Sequence, residues 1–172
     1  MAHADIIEAF LTLNDKALVG MPNWVEQPRA GELMATWQIE ADGVITENFE
    51  VRALAYPNVA RTLQPYFKLG LFYLKTPVCR LDFQRDKTHF NQPHRRPPHV
   101  PPGMVQGEHW HDFADNKFLF EAAKMPTRFQ FAVAPPHRIT RFEQAFHWFC
   151  DTINTARENH QVVDLPVRTR LL

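Results

Sequence analysis

The chain has 172 residues, of which 45% are hydrophobic, and its 19 Lys and Arg residues equal its 19 Asp and Glu residues. This length fits a single domain over residues 1–172, and the zero net charge argues against a protein that attracts nucleic acid by long-range electrostatics. No apolar run is long enough to span a membrane, no signal-peptide pattern occurs, and two cysteines are too few for a disulfide scaffold, so we expect a cytoplasmic protein with reduced core thiols.

The first predicted element is an amphipathic helix over about residues 4–16, followed by a loop over residues 20–31. In the helix the apolar residues recur at a spacing of three to four residues. They are Ile6, Ile7, Phe10, Leu11 and Leu13. The loop contains two prolines and two glycines, which interrupt regular structure.

A β-hairpin follows, and it is the most specific local pattern in the chain. Residues 35–41 and 44–54 flank Asp42-Gly43, a dipeptide that tolerates positive φ and therefore suits a two-residue turn between antiparallel strands. The second strand alternates apolar and polar residues, which predicts one buried face and one wet face. Its apolar positions include Phe49, Val51 and Ala53.

More strands are predicted on either side of a proline-rich segment. They cover residues 66–74, 78–83, 118–122 and 127–133. Prolines within residues 86–107 lack the N–H group that a central strand must donate, so these residues are predicted to be a Pro/His-rich loop inserted between strands. The tail from Val162 to Leu172 is expected to add an edge strand or to dock loosely.

A long C-terminal helix is predicted over residues 140–157. Thr140-Arg141-Phe142-Glu143 fits a capping box with Thr140 at the N-cap. An apolar stripe with a period of about 3.6 residues follows. It consists of Phe142, Ala145, Phe146, Phe149, Cys150, Ile153 and Ala156. Together the elements predict an α+β fold, in which an antiparallel sheet of about five to seven strands is packed by the N-terminal helix and this long C-terminal helix.

Histidines concentrate in one segment, since five of the nine lie within residues 89–111. If His109-Trp110-His111 is extended, alternation places both imidazoles on one face and Trp110 on the other. Two such imidazoles can share a metal ion or act as general acid and base. An H-x-H pattern also occurs by chance, and without a CxxC or HExxH motif the spacing identifies no particular metal.

Neighbouring residues complete the candidate site. The candidate catalytic residues are His109, His111, His89 and Arg95. The candidate substrate-binding residues are Arg96, His99 and Glu108, and the candidate ligands of a divalent metal ion are His109, His111 and Asp112, with Asp82 as the alternative carboxylate. Guanidinium groups are included because they bind phosphate and carboxylate in a two-point geometry.

A second, weaker candidate is a basic patch on the open side of the predicted sheet. It would consist of Arg61, Lys68 and Arg80 and would bind phosphate or an acidic partner, although a solvated face is the simpler interpretation. The chain contains no serine, which excludes serine nucleophiles.

Three short motifs occur in a fixed order: Leu81-Asp82, His89-Phe90-Asn91, and Gly107-Glu108-His109-Trp110-His111. This order resembles a family of uncharacterised, prophage-associated bacterial proteins with Leu-Asp, His-x-Asn and Gly-x-His-x-His elements. The resemblance covers about residues 66–155, and the run from His94 to Pro102 is inserted relative to the family pattern. Because the family has no established activity, the resemblance implies a mobile-element context and candidate positions only.

The paired histidines and this context predict a small toxin-like or defence-related ribonuclease or phosphodiesterase. One of His109 and His111 would accept a proton from the attacking hydroxyl, and the other would protonate the leaving oxygen. Arg95 or Arg96 would neutralise the phosphate.

Two alternatives stay open. A non-catalytic inhibitor or antitoxin-like module would bind a protein partner through Pro93–Pro102, because proline-rich loops lose little entropy on binding. A metal-dependent hydrolase would use the histidine pair as ligands of a divalent ion. The expected partners are accordingly RNA or a nucleotide, a protein, or a second copy of the chain paired through exposed sheet edges.

Overall fold

The structure is a computed structural model that describes residues 2–29, 31–56, 66–84, 86–121 and 125–166. The α-helices in these residues are α1 (His3–Thr12), α2 (Phe113–Asn116) and α3 (Phe142–Thr152). The strands are β1 (Lys16–Val19), β2 (Val25–Glu26), β3 (Leu33–Ala41), β4 (Val44–Ala55), β5 (Phe67–Tyr73), β6 (Thr76–Phe83), β7 (Thr88–Asn91), β8 (Gly103–Gln106) and β9 (His109–His111).

Seven of these strands form one antiparallel sheet. Its order is β1-β3-β4-β5-β6-β9, and β2 pairs with the other end of β3. The predicted β3–β4 hairpin is confirmed, because Asp42 and Gly43 form its turn with φ of 52° and 75°. The predicted α+β class is confirmed as well, including an N-terminal and a C-terminal helix.

Helices α1 and α3 cover one face of the sheet through aromatic contacts. Phe10 of α1 stacks on Phe49 of β4 at 3.6 Å between ring centroids. From α3, Phe146 lies 4.9 Å from Trp37 of β3, and Phe149 lies 5.9 Å from Trp110 of β9. This face therefore holds the apolar core predicted from the alternation of the strands and the stripe of α3.

Both helices are shorter than predicted. Helix α1 ends at Thr12 because Lys16 already belongs to β1, and its buried Nζ donates hydrogen bonds to the carbonyls of Phe10, Leu11 and Leu13 at 3.0, 3.0 and 2.6 Å. These bonds satisfy acceptors that a helix leaves free at its carboxyl end. The ammonium group thus holds the end of the helix against the first strand.

The predicted capping box of α3 is wrong. Arg141 is the N-cap residue and makes no side-chain cap, while the backbone N of Thr140 donates to Gln144 Oε1 at 3.0 Å. At the other end Asn154 has a φ of 51°, a left-handed conformation that ends a helix. The predicted stripe positions Ile153 and Ala156 consequently lie beyond α3.

The strands predicted after β9 are also wrong. Lys117–Phe120 is a 3-10 helix, residue 122 lies outside the described residues, and within residues 127–133 only Val133 makes a β-bridge, to Trp110. The side chain of Asn116 takes the place of a neighbouring strand as the hydrogen-bond partner of this segment. Its Oδ1 accepts hydrogen bonds from the backbone N atoms of Gln130 and Phe131 at 2.9 and 3.0 Å.

The segment 86–107, predicted as a loop, contains a hairpin of its own. Strands β7 and β8 pair in a separate two-stranded sheet, and the prolines lie in the connection between them. Of the predicted tail strand, residues 162–166 are irregular and residues 167–172 lie outside the described residues. Across the part of the chain that the structure describes, every helix is too short or too polar to cross a bilayer.

Candidate functional site

The three-residue edge strand β9 carries the paired histidines. In β9, His109 and His111 point to the face opposite the helices, while Trp110 packs on α3, with its ring 5.2 Å from that of Trp148. The predicted alternation is therefore confirmed. The ring centroids of His109 and His111 are 5.0 Å apart, and each side chain is almost fully buried.

His89 joins the pair from β7. Its ring centroid lies 4.7 Å from that of His111 and 5.7 Å from that of His109. One ring nitrogen from each of the three histidines lies within 4.8 Å of the other two. His89 is only half-buried, so solvent approaches the cluster from its side. The structure thus brings together three of the four candidate catalytic residues.

A carboxylate from β6 faces the same space. Asp82 pairs with His109 in the β6–β9 register, and its Oδ2 lies 3.5 Å from His109 Nε2 and 3.8 Å from His111 Nε2. Arg80 Nε and Nη2 donate to the two carboxylate oxygens at 2.5 and 2.8 Å. Burial acts to raise the pKa of Asp82, but hydrogen bonds from the two histidines in the state in which their Nε2 atoms carry hydrogen, together with the charge of Arg80, hold that pKa well below its usual value. Asp82 is therefore ionised.

Backbone carbonyls determine which nitrogen of each imidazole carries hydrogen. His109 Nδ1 lies 2.8 Å from the carbonyl oxygen of Gly107, and His111 Nδ1 lies 2.9 Å from that of Phe131. Because a carbonyl only accepts hydrogen bonds, both Nδ1 atoms must be donors. In a neutral imidazole the other nitrogen, Nε2, then presents a lone pair.

In the neutral form, an imidazole with this tautomer directs its Nε2 lone pair at the carboxylate of Asp82. Burial lowers the pKa of His111 to about 4, so its imidazole is neutral at pH 7. His111 Nε2 is buried without a hydrogen-bond partner among the described residues. A lone pair next to an acceptor oxygen is unfavourable, whereas a cation between them would satisfy both. The site therefore has the donor set of a metal centre.

Residues 129–132 cover the cluster and fix the β7–β8 hairpin. The ring of Phe129 stacks on that of His111 at 4.7 Å, and the carbonyl oxygen of Gln130 lies 3.1 Å from His89 Nε2. The amide of Asn91 bonds both backbone groups of Ala132, at 2.8 and 2.9 Å. The position of His89 relative to β9 is thus set by side-chain contacts to an irregular segment.

The structure places the candidate residues of the inserted segment elsewhere. Arg95 lies over the ring of Phe118, with 5.8 Å from Cζ to the ring centroid, and Arg96 donates to the carbonyl of Val100. His99 Nε2 lies 2.8 Å from Asp115 Oδ1. Among the described contacts none joins Arg95, Arg96 or His99 to the histidine cluster.

The two acidic neighbours of β9 also differ from Asp82 in their contacts. Asp112 is the N-cap of α2, and its Oδ1 accepts a hydrogen bond from Ala114 N at 3.1 Å. Glu108 lines a surface cavity of about 400 Å³ with His137 and Arg138. The carboxylate at the cluster is consequently Asp82, the alternative to Asp112. Arg61, from the predicted basic patch, lies outside the described residues.

Sequence reasoning missed the part that Arg80 has in this site. The signal lies in Val78–Phe83, where Arg80 and Asp82 alternate with apolar residues and so share the face of the histidines. The carbonyls of Gly107 and Phe131, which bond the histidine Nδ1 atoms, could not be predicted from residue type, because every residue has a backbone carbonyl. Comparisons with protein-family models, with curated proteins and with solved structures gave no match.

Proposed function

We propose that this protein is a metal-dependent hydrolase that binds one divalent transition-metal ion through His89, His109 and His111. The observation that carries the proposal is the pair of Nε2 atoms of His109 and His111, both directed at Asp82 Oδ2 although their Nδ1 atoms already donate to carbonyls. Backbone hydrogen bonds that fix the ligating tautomer are typical of histidine ligands in metal sites.

The donor set indicates the kind of ion. Neutral imidazoles suit zinc, nickel, copper or iron, whereas magnesium and calcium prefer oxygen ligands. Three protein ligands with a further position for water are typical of catalytic zinc sites, and zinc lowers the pKa of bound water to about 7. Asp82, held by Arg80, would complete the coordination or orient that water by accepting a hydrogen bond from it.

The metal-free ribonuclease and the protein-binding module stay predictions. A metal-free ribonuclease needs one protonated imidazole, and burial disfavours that state for His111, whose pKa is lowered to about 4. A protein-binding module would use Pro93–Pro102 together with Phe90 and Met104, cross-strand neighbours that are 50% and 56% exposed.

Metal analysis of tag-free protein tests the proposal. We expect about one equivalent of zinc or a similar ion in the wild type and its loss in His89→Ala, His109→Ala and His111→Ala, with far-UV circular dichroism confirming that each variant is folded. His94→Ala is the matched control, since His94 is an exposed histidine of the same segment and should retain the ion. Hydrolysis of chromogenic esters should disappear with a chelator and return with zinc.

A wild-type protein that stays metal-free after incubation with zinc would overturn the proposal. So would retention of the ion in all three variants. Stoichiometric metal without hydrolysis of any ester would contradict the hydrolase and leave a metal-binding protein.

A further inference from the structure

The polar face of the sheet continues beyond the histidines as a pair of cations. Arg80 of β6 is paired with His111 of β9, and Lys68 of β5 is paired with Asp82 of β6. Paired residues of antiparallel strands point to the same face, and residues two positions apart on neighbouring strands are diagonal neighbours. Lys68 and Arg80 are therefore diagonal neighbours on the face that carries the histidine cluster.

Arg80 uses only part of its guanidinium for Asp82. Nε and Nη2 donate to the carboxylate, whereas Nη1 has no hydrogen-bond partner among the described residues. The side chain is 24% exposed and lies over the ring of Phe129, with 5.4 Å from Cζ to the ring centroid. The ion pair and the aromatic ring fix the guanidinium in place and leave further donors for a ligand.

Lys68 is half-buried, and its ammonium forms no ion pair with any residue that the structure describes. Within the described ranges its Nζ makes no hydrogen bond and no ion pair, although charged side chains are rarely buried unless they are paired. Its electrostatic neighbours are Asp82 and Glu32, which are acidic, and Arg80 and Lys87, which are basic. Asp82 and Glu32 attract the ammonium of Lys68 at a distance, but among the described residues neither forms an ion pair with it, and Asp82 is already bound to Arg80.

A third polar group lies at the same end of β6. Gln84 is two residues after Asp82, so it points to the same face, and its side chain is 4% exposed. Its Nε2 is buried and makes no hydrogen bond of ordinary length in the described part of the chain, although the side chain interacts with the Tyr66 hydroxyl. An anion within reach of this amide would give it a closer acceptor.

We propose that Lys68 and Arg80 form an anion subsite and that the substrate of the adjoining metal centre is a phosphate ester. This inference rests on the proposed function, because the subsite adjoins the three histidines. A phosphoryl group carries several oxygens and so can contact an arginine, a lysine and a metal ion together, whereas a carboxylate offers only two. Both cations stabilise the charge that develops on phosphoryl oxygens.

Calorimetric titration of the zinc-loaded protein with inorganic phosphate tests the subsite, with acetate as the comparison anion. We expect phosphate to bind more tightly than acetate, and Lys68→Met to raise the Kd for phosphate about tenfold or more while the zinc content is unchanged. Lys75→Met is the matched control, since Lys75 lies in the exposed β5–β6 turn and should bind phosphate as the wild type does. Lys68→Arg should restore binding.

The outcomes separate the two proposals. Zinc-loaded protein that binds no phosphate, or binds it equally in Lys68→Met, overturns the subsite and leaves the metal centre intact. If the wild type binds no zinc, the same titration is made on the metal-free protein. In that case the failure to bind zinc refutes the metal centre, and phosphate binding that depends on Lys68 still supports the subsite. Comparing the rates at which p-nitrophenyl phosphate and bis(p-nitrophenyl) phosphate are hydrolysed distinguishes a monoester substrate from a diester substrate.

Discussion

Both faces of the seven-stranded sheet are buried around β9, but the contacts that bury them differ in kind. On the helix side, the ring of Trp110 packs against the rings of Trp148 and Phe149. On the opposite side, His109 and His111 are as buried as Trp110, yet they contact Asp82 and backbone carbonyls. One strand of three residues thus separates an apolar core from a buried polar site.

The two faces show that a buried polar atom without a partner indicates a ligand, whereas a buried apolar side chain does not. Apolar side chains gain free energy simply by leaving water. A buried polar group costs free energy unless it is paired, as Lys16 is by three carbonyls. His111 Nε2 is equally buried and lacks such a partner among the described residues, which is why the site, and not the core, points to a function.

The largest effect should come from the helix side. Phe149→Ala removes a fully buried ring behind β9 and should lower the free energy of unfolding by about 3–5 kcal/mol, measured by urea denaturation. The zinc content per folded molecule should stay that of the wild type. Loss of zinc from folded Phe149→Ala would mean that the two faces are coupled and do not act separately.

A pH dependence should come from the opposite face. In the folded protein the pKa of His111 is lowered to about 4 from 6.5, so the unfolded chain binds more protons between these values. With a chelator present, the free energy of unfolding should therefore rise as the pH rises from about 4 to 6.5, by roughly 3 kcal/mol at 1.36 kcal/mol per pKa unit.

The variant His111→Gln isolates this effect, because it has no imidazole to titrate at that position. Its unfolding free energy should change less over the same pH range than that of the wild type. An equal change in both proteins would assign the pH dependence to other groups and remove His111 as its source.

The smallest effect should come from the inserted segment. The imidazole of His99 is 66% exposed, so water and salt screen its contact with the buried Asp115, and ion pairs with such an exposed member contribute about 0–1 kcal/mol. His99→Ala should therefore change the unfolding free energy by less than about 1 kcal/mol, with no change in zinc content. A loss of zinc in this variant would show that the segment reaches the site after all.

Local patterns predicted well those parts of the fold that local chemistry controls. Asp42-Gly43 gave the hairpin because few other dipeptides accept positive φ at both positions, and alternation gave the faces of β4 and β9. Patterns failed after β9, because the side chain of Asn116 takes the hydrogen bonds that a strand at residues 127–133 would have made. Such a replacement depends on a partner many residues away.

The sequence alone predicts that His109 and His111 share one face of a strand and that Trp110 lies on the other, because an extended chain alternates with a period of two. Strand pairing and contacts with distant segments set which residues meet that pair. His89 reaches the pair from a separate hairpin, and the carboxylate beside the pair is that of Asp82 and not that of Asp112. The Nδ1 atoms of His109 and His111 each bond a backbone carbonyl. These contacts follow from strand pairing and from segments distant along the chain, and no local spacing encodes them.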